Sequence, residues 1–283
     1  MRLSRPLAFH VFWRLTQVLL VGCLLVAVYG TFDEYSLRRY LAGFSDAVVP
    51  LPASPEQKVE AILAWMRAGP ARRPNVPDDF LANRDPQDTL NYGQLLRVCG
   101  TATNAFVNLA ASGGLHARRL LLLDATRQVK HVVAEVRLGE RWVVVDPSLR
   151  TLFRDRLGRP VTREQLANPA MLQEVTRNVP DYPADFTYES TAHVHLSRIP
   201  VVGKYTRGIF DKLAPGWEED INWTLPLERK SFGLILLSLL MAGICLLTRV
   251  ALGRYAQMRL GIEPVSMHAH LARFGRALLS RNN

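Results

Sequence analysis

Residues 97–111 read R-V-C-G-T-A-T-N-A-F-V-N-L-A-A, and residues 131–146 read H-V-V-A-E-V-R-L-G-E-R-W-V-V-V-D. In the first stretch Ala102, Ala105, Phe106 and Leu109 recur at helical spacing, and Ser112-Gly113-Gly114 closes the run. The pattern predicts a helix from about Cys99 to Ala111. In the second, two apolar, β-branched runs flank Gly139-Glu140, which predicts a β-hairpin with a two-residue loop. Leu138 then pairs with Arg141, and counting back along both strands sets Asp146 opposite Val133. Asp146 thereby shares a face with His131, two residues away, and such diagonal neighbours stand about 7–8 Å apart, within side-chain reach. Val132, Ala134, Val136 and Leu138 form the other, apolar face with Val143 and Val145. Arg118–Leu123 (RRLLLL) predicts a further strand, and Phe186–Leu196 (FTYESTAHVHL) another. Ahead of the helix, Ser54-Pro55-Glu56-Gln57 has the form of a capping box with proline at the first helical position.

Cys99 is the cysteine that lies outside two long apolar runs, so it has no disulfide partner in its own domain. A cysteine at a helix N-terminus gains thiolate character from the exposed N–H groups and the helix dipole. A lone cysteine is more often a small buried filler than a nucleophile, so the reading depends on a base. His131 is the candidate base, with Asp146 to orient it. Asn91 and Gln94 are candidate side-chain donors for an oxyanion site beside the Cys99 amide. Glu135 shares the His131 face but stands four residues off, about 13 Å along a strand. His193 and His195 alternate on one strand face without an accompanying Cys, Asp or Glu cluster, so no metal site is expected. His116 follows the glycine pair in a turn, and no serine sits in a nucleophile elbow. No cofactor is expected.

The formal charge is +10, yet residues 31–230 carry 26 Lys/Arg against 24 Asp/Glu. The excess belongs to the two ends. A basic nucleic-acid face would concentrate Lys and Arg on the folded domain, so no nucleic-acid partner is expected. Residues 11–29 (VFWRLTQVLLVGCLLVAVY) and 232–248 (FGLILLSLLMAGICLLT) are instead apolar runs on the scale of a bilayer crossing, which takes about 17–25 residues. Trp13 and Tyr29 suit the two interfaces of the first, and Arg14 sits near its start, where it can snorkel. Cys23 and Cys245 lie within these runs as small apolar residues. Val28-Tyr29-Gly30 is a poor signal-peptide cleavage site, which favours an uncleaved anchor. Arg2, Arg5 and Arg14 before the first run, and six arginines after the second, place both termini in the cytoplasm by the positive-inside rule. The expected organisation is a cytoplasmic segment (1–10), a span (11–29), an extracytoplasmic domain (31–230), a second span (232–248) and a basic cytoplasmic tail (249–283). Trp217 and Trp223 are expected at the membrane surface.

Three motifs in order carry a family resemblance. They are V-C-G-T-A-T-N-A-F-V-N-L-A-A-S-G-G-L-H-A-R from Val98, H-V-V-A-E-V from His131, and R-W-V-V-V-D-P from Arg141. Together they resemble the transglutaminase-like superfamily. The family has a cysteine at a helix N-terminus, a Gly-x-x-Ala-Arg turn into a strand, a histidine opening a strand and a Trp-x-x-x-Asp-Pro close. The resemblance covers roughly residues 54–152 and implies an α+β, papain-like core with a Cys-His-Asp triad. In that triad Cys99 is the nucleophile, His131 the base and acid, and Asp146 the orienting group. The expected protein is a bacterial inner-membrane thiol enzyme, anchored by two spans, that hydrolyses or transfers amide bonds of a protein or peptide substrate. The alternative is a non-catalytic component of a cell-envelope pathway, such as polysaccharide synthesis or export, that keeps the fold and binds envelope partners. Residues from Phe153 onward match no part of the pattern.

Overall fold

The computed structural model describes residues 5–69, 86–90, 98–193, 212 and 229–261. Asn91, Gln94, Arg97, His195, Trp217 and Trp223 lie outside the described residues. The chain forms two units, Met1–Thr31 with Leu234–Asn283, and Phe32–Gly233.

The first unit holds the beginning of helix α1 (Arg5–Val48) and most of a C-terminal helix, Lys230–Tyr255. The segments Leu7–Val48 and Lys230–Arg259 are long and apolar enough to cross a membrane. Leu15, Val18, Leu25 and Val28 on one, and Leu236, Leu237, Leu240 and Leu247 on the other, are exposed. A stripe of this kind suits lipid better than water. The Arg249 guanidinium lies 3.9 Å over the Trp13 ring and donates to the Trp13 carbonyl at 3.1 Å.

The second unit is an α+β domain. Its elements in chain order are the end of α1, α2 (Pro55–Ala68), the short α3 (Pro86–Thr89), α4 (Cys99–Ser112), β1 (Ala117–Leu123), β2 (Val129–Leu138), β3 (Arg141–Asp146) and β4 (Thr151–Leu152). Two short helices follow, α5 (Arg163–Leu166) and α6 (Pro169–Thr176), then β5 (Thr191–His193); the Lys230–Tyr255 helix is α7. The five strands form an antiparallel sheet in the order β4-β3-β2-β1-β5.

Local chemistry accounts for the boundaries that matter. The Ser54 hydroxyl accepts from the Gln57 N–H at 3.3 Å, and the Gln57 side chain accepts from the Ser54 N–H at 2.8 Å, so α2 starts in a reciprocal capping box. Gly139 takes the first position of the hairpin loop at φ 63°, a left-handed conformation that glycine adopts without Cβ strain. Leu138 pairs with Arg141 and the ladder continues to Ala134 with Val145, the register expected from the loop length.

Both faces of the sheet are covered. On one, Ala134, Val136, Val143 and Val145 meet Val59, Ile62, Leu63 and Met66 of α2 and Ala102, Ala105, Phe106 and Leu109 of α4, joined by Leu37 and Leu41 of α1. Helix α4 is enclosed all round, with every residue from Thr101 to Ala110 buried. On the other face, Leu120, Leu122, Val133 and Val144 meet Phe153, Val161, Leu166 and Tyr188. The part of the chain beyond the family motifs thus closes the second half of the core. The expected strand over 186–196 is corrected here: within the described residues only Thr191–His193 pairs, with Leu120–Leu122 of β1. Phe186 and Tyr188 pack inward on the second core from turns and bends, with no strand partner of their own.

Candidate active site

Helix α4 begins at Cys99, preceded by the extended Val98 (φ −140°, ψ 161°). Thr101 secures this first turn: its hydroxyl donates to the Val98 carbonyl at 2.9 Å and accepts from the Val98 N–H at 3.3 Å. The Arg119 side chain, buried beneath the turn, donates to the Gly100 carbonyl at 3.1 Å. Thr103, one turn on, donates to the Val132 carbonyl at 2.9 Å and fastens α4 to β2 beside His131. The cysteine is half-buried and takes part in no disulfide.

His131 and Asp146 are both fully enclosed, and His131 Nε2 lies 2.7 Å from Asp146 Oδ2. The other carboxylate oxygen, Oδ1, is saturated by three donors. These are the Ser148 hydroxyl at 2.7 Å, the Ser148 N–H at 3.0 Å and the Leu149 N–H at 3.0 Å. The Asp146-Pro147-Ser148 turn therefore holds the carboxylate in one orientation. Ser148 Oγ also stands 3.4 Å from His131 Nε2. On its face the imidazole is stacked against Phe186, with ring centroids 4.1 Å apart and an interplanar angle of 14°.

The His131 imidazole hydrogen-bonds to Cys99 as well as to Asp146. Burial alone would depress its pKa. The hydrogen bonds to Asp146 and Cys99, with the charges on those two groups, more than reverse this and bring it up to about 9. The Tyr182 hydroxyl on the same side is also raised above its ordinary range, there by burial itself and then by the charge of Asp146.

Cys99, His131 and Asp146 are thus brought together. Glu135 is not part of that group. It is buried and paired with Arg118 Nε at 2.8 Å and His193 Nε2 at 2.6 Å, and the Arg118 guanidinium lies 4.0 Å over the Trp142 ring. Burial would raise the Glu135 pKa, but the His193 hydrogen bond and the Arg118 charge hold it below the usual carboxylate range. His116 is exposed. Among the described residues no group of three or more His, Cys, Asp or Glu has the arrangement of a metal site. Sequence reasoning missed Ser148 and Phe186. The Asp-Pro-Ser order was a usable signal for the first, since an aspartate side chain commonly accepts from the backbone N–H two residues on. Phe186 had none.

Residues 43–147 match the model of the Transglutaminase-like superfamily. The protein carries a transglutaminase-like domain over that range, and Cys99, His131 and Asp146 all fall within it. Neither a curated protein nor a solved structure matches the chain.

Proposed function

We propose that the transglutaminase-like domain is a thiol enzyme acting on amide bonds, held outside the cytoplasm by two membrane-spanning helices, with both chain ends in the cytoplasm. The observation that carries this reading is the single imidazole that hydrogen-bonds to a buried carboxylate on one side and to a helix-N-terminal thiol on the other.

The chemistry follows from that arrangement. Nε2 is engaged by Asp146, which leaves Nδ1 to hold the proton that Cys99 gives up, so that the attacking sulfur faces an imidazolium. The sulfur attacks the carbonyl carbon of a peptide or side-chain amide. The carbonyl π electrons move to oxygen, beside the first N–H groups of α4, which point the helix dipole at the developing charge. The imidazolium, stabilised by Asp146, then returns its proton to the departing amine as the C–N bond breaks, leaving a thioester. Water or a second amine attacks the thioester, His131 takes its proton, and the thiolate leaves. Hydrolysis is the favoured outcome, with a protein or peptide as substrate. Asn91 and Gln94 are the candidate additional donors to the oxyanion.

A fluorescent acyl-amide probe bearing a thiol-reactive group tests the reading on the full-length protein in detergent. Covalent labelling at Cys99 is expected to be fast at neutral pH and lost in Cys99→Ala. It is expected to fall by roughly 10²–10⁴-fold in His131→Ala, the usual weight of general acid–base catalysis. Labelling no faster than that of a small-molecule thiol, and indifferent to His131→Ala, would leave a non-catalytic envelope component as the correct reading. A reporter fused after Asn283 tests the topology and should be active only in a cytoplasmic assay.

A further inference from the structure

The segment that follows residues 43–147 also reaches the site. We propose that Phe186 is a positioning residue for His131: its ring, laid flat on the imidazole, fixes the plane in which that imidazole meets both Asp146 and Cys99. This rests on the thiol-enzyme reading above.

A single hydrogen bond to a carboxylate leaves an imidazole free to rotate about the N···O axis. Rotation would preserve the contact with Asp146 and swing the second nitrogen away from the sulfur. A flat surface against one face of the ring removes that freedom. Phe186 supplies it at 4.1 Å and 14°, nearer to parallel than the ring contacts that surround it. An apolar ring on this face also keeps water off the His131–Asp146 hydrogen bond and so preserves its strength in low dielectric.

Phe186 is itself held from several sides. Tyr182 meets it edge to face at 6.0 Å and 87°, and Phe153 meets Tyr182 at 6.1 Å and 83°. Phe153 and Tyr188, fully buried, stand 6.4 Å apart at 85°. The Phe186 N–H donates to the Pro183 carbonyl at 3.1 Å, and the Tyr182 hydroxyl donates to the Phe186 carbonyl at 3.4 Å. Next to these rings, Lys130 and Asp185 form an ion pair at 3.8 Å that links β2 to the 182–188 turn. A chain of perpendicular rings therefore runs from the second core to the imidazole. The groups that face His131 are Asp146 from β3, Ser148 from the following turn, Cys99 from α4 and Phe186, with Tyr182 behind it. Phe186 lies outside residues 43–147, so this chain provides the surface from its own C-terminal extension.

The test uses full-length protein in detergent, with Cys23→Ala and Cys245→Ala as background, and reads alkylation of Cys99 by iodoacetamide across pH 5–9. Phe186→Leu keeps the site apolar but removes the flat face. It is expected to slow alkylation at neutral pH on the order of tenfold to a hundredfold, the scale on which small misplacements act, and to alter the pH profile. Phe186→Trp is expected to restore both. Leu166→Ala, a cavity in the same core away from His131, is expected to lower the unfolding temperature and leave the profile unchanged. If Phe186→Leu does not fold, Phe186→Met replaces it at similar volume. A Phe186→Leu or Phe186→Met profile that matches Leu166→Ala overturns the proposal. In the same assay His131→Ala must slow alkylation; if it does not, the thiol-enzyme reading falls, and this inference with it. A His131 effect without a Phe186 effect removes only the latter.

Discussion

Ser148 and Asp146 form the tightest local unit of the site: the serine hydroxyl and its own N–H both donate to Asp146 Oδ1, at 2.7 and 3.0 Å. With the Leu149 N–H on the same atom, the carboxylate has one oxygen fully committed to its own turn and the other to His131. Ser148→Ala removes the strongest of these donors and leaves a buried lone pair unfilled, a loss of about 1–3 kcal/mol. The expected result is a lower unfolding temperature and a several-fold slower Cys99 labelling rate. Asp146→Asn in the same assay should be much slower still, because an amide in this position presents an N–H to one of its neighbours and cannot stabilise an imidazolium.

The pH dependence of stability has a definite sign. His131 titrates near 6.5 in an unfolded chain and is raised to about 9 in the fold. Between those values the folded protein holds a proton that the unfolded chain has released. The stabilisation is therefore fully present below about pH 6.5 and is lost as pH rises through about 9. It amounts to roughly 3–4 kcal/mol at most, at about 1.4 kcal/mol for each pKa unit. Thermal unfolding in detergent should accordingly occur at a lower temperature near pH 9 than near pH 6.5. The difference should shrink in Asp146→Asn. Carbon-13 labelling of the histidines gives a direct check, since the His131 ring resonance should titrate well above those of exposed histidines.

Glu135 and His193 are a structural pair by the same reasoning. Glu135 is held by Arg118 and His193 on the face that also carries His131, but the strand spacing keeps the two histidines' environments separate. Arg118→Met should cost about 3–5 kcal/mol, because it leaves a buried carboxylate without its fixed cation. His193→Ala should cost less. Neither variant should change the Cys99 alkylation rate per folded molecule by more than about twofold, which separates this cluster from the Asp146 unit.

What could be read from the sequence was what is local. The Gly139-Glu140 loop fixed the hairpin register, and the register alone brought Asp146 onto the His131 face. Small residues after Cys99 and the glycine pair beyond Ser112 bounded α4, and Ser54 with Gln57 bounded α2. The second core was not legible, because residues 153–188 reach the sheet through turns and short helices that have no single period. Contacts such as Phe186 on His131 and His193 on Glu135 join residues more than fifty positions apart, and no local pattern encodes them. The alternation over Phe186–Leu196 was misleading for a related reason: its aromatic residues are spaced for packing inward, and the pairing begins only at Thr191.

Arg229 offers the last prediction. Its guanidinium pairs with Glu34 of α1 and donates to Asn108 Oδ1 of α4 at 3.1 Å. Asn108 in turn donates to the Asn104 side chain at 2.6 Å, one turn nearer to Cys99, while Ser231 donates to Glu34 at 2.8 Å. Within the second unit, Glu34 of α1 is thus tied to the helix that bears the cysteine by one little-exposed cation. Arg229→Met would leave Glu34 with Arg38 and Ser231 as its partners and Asn108 without its charged donor. The retained partners put the expected loss near the low end of that for breaking a buried pair, about 3 kcal/mol. Glu34→Gln should lose less, and the double variant should lose less than the sum of the two, with a coupling on the order of 1 kcal/mol. Unfolding temperatures of the four proteins in one detergent measure that coupling. Additive losses would mean that Arg229 and Glu34 contribute independently and that this ion pair does not join α1 to the segment at Arg229.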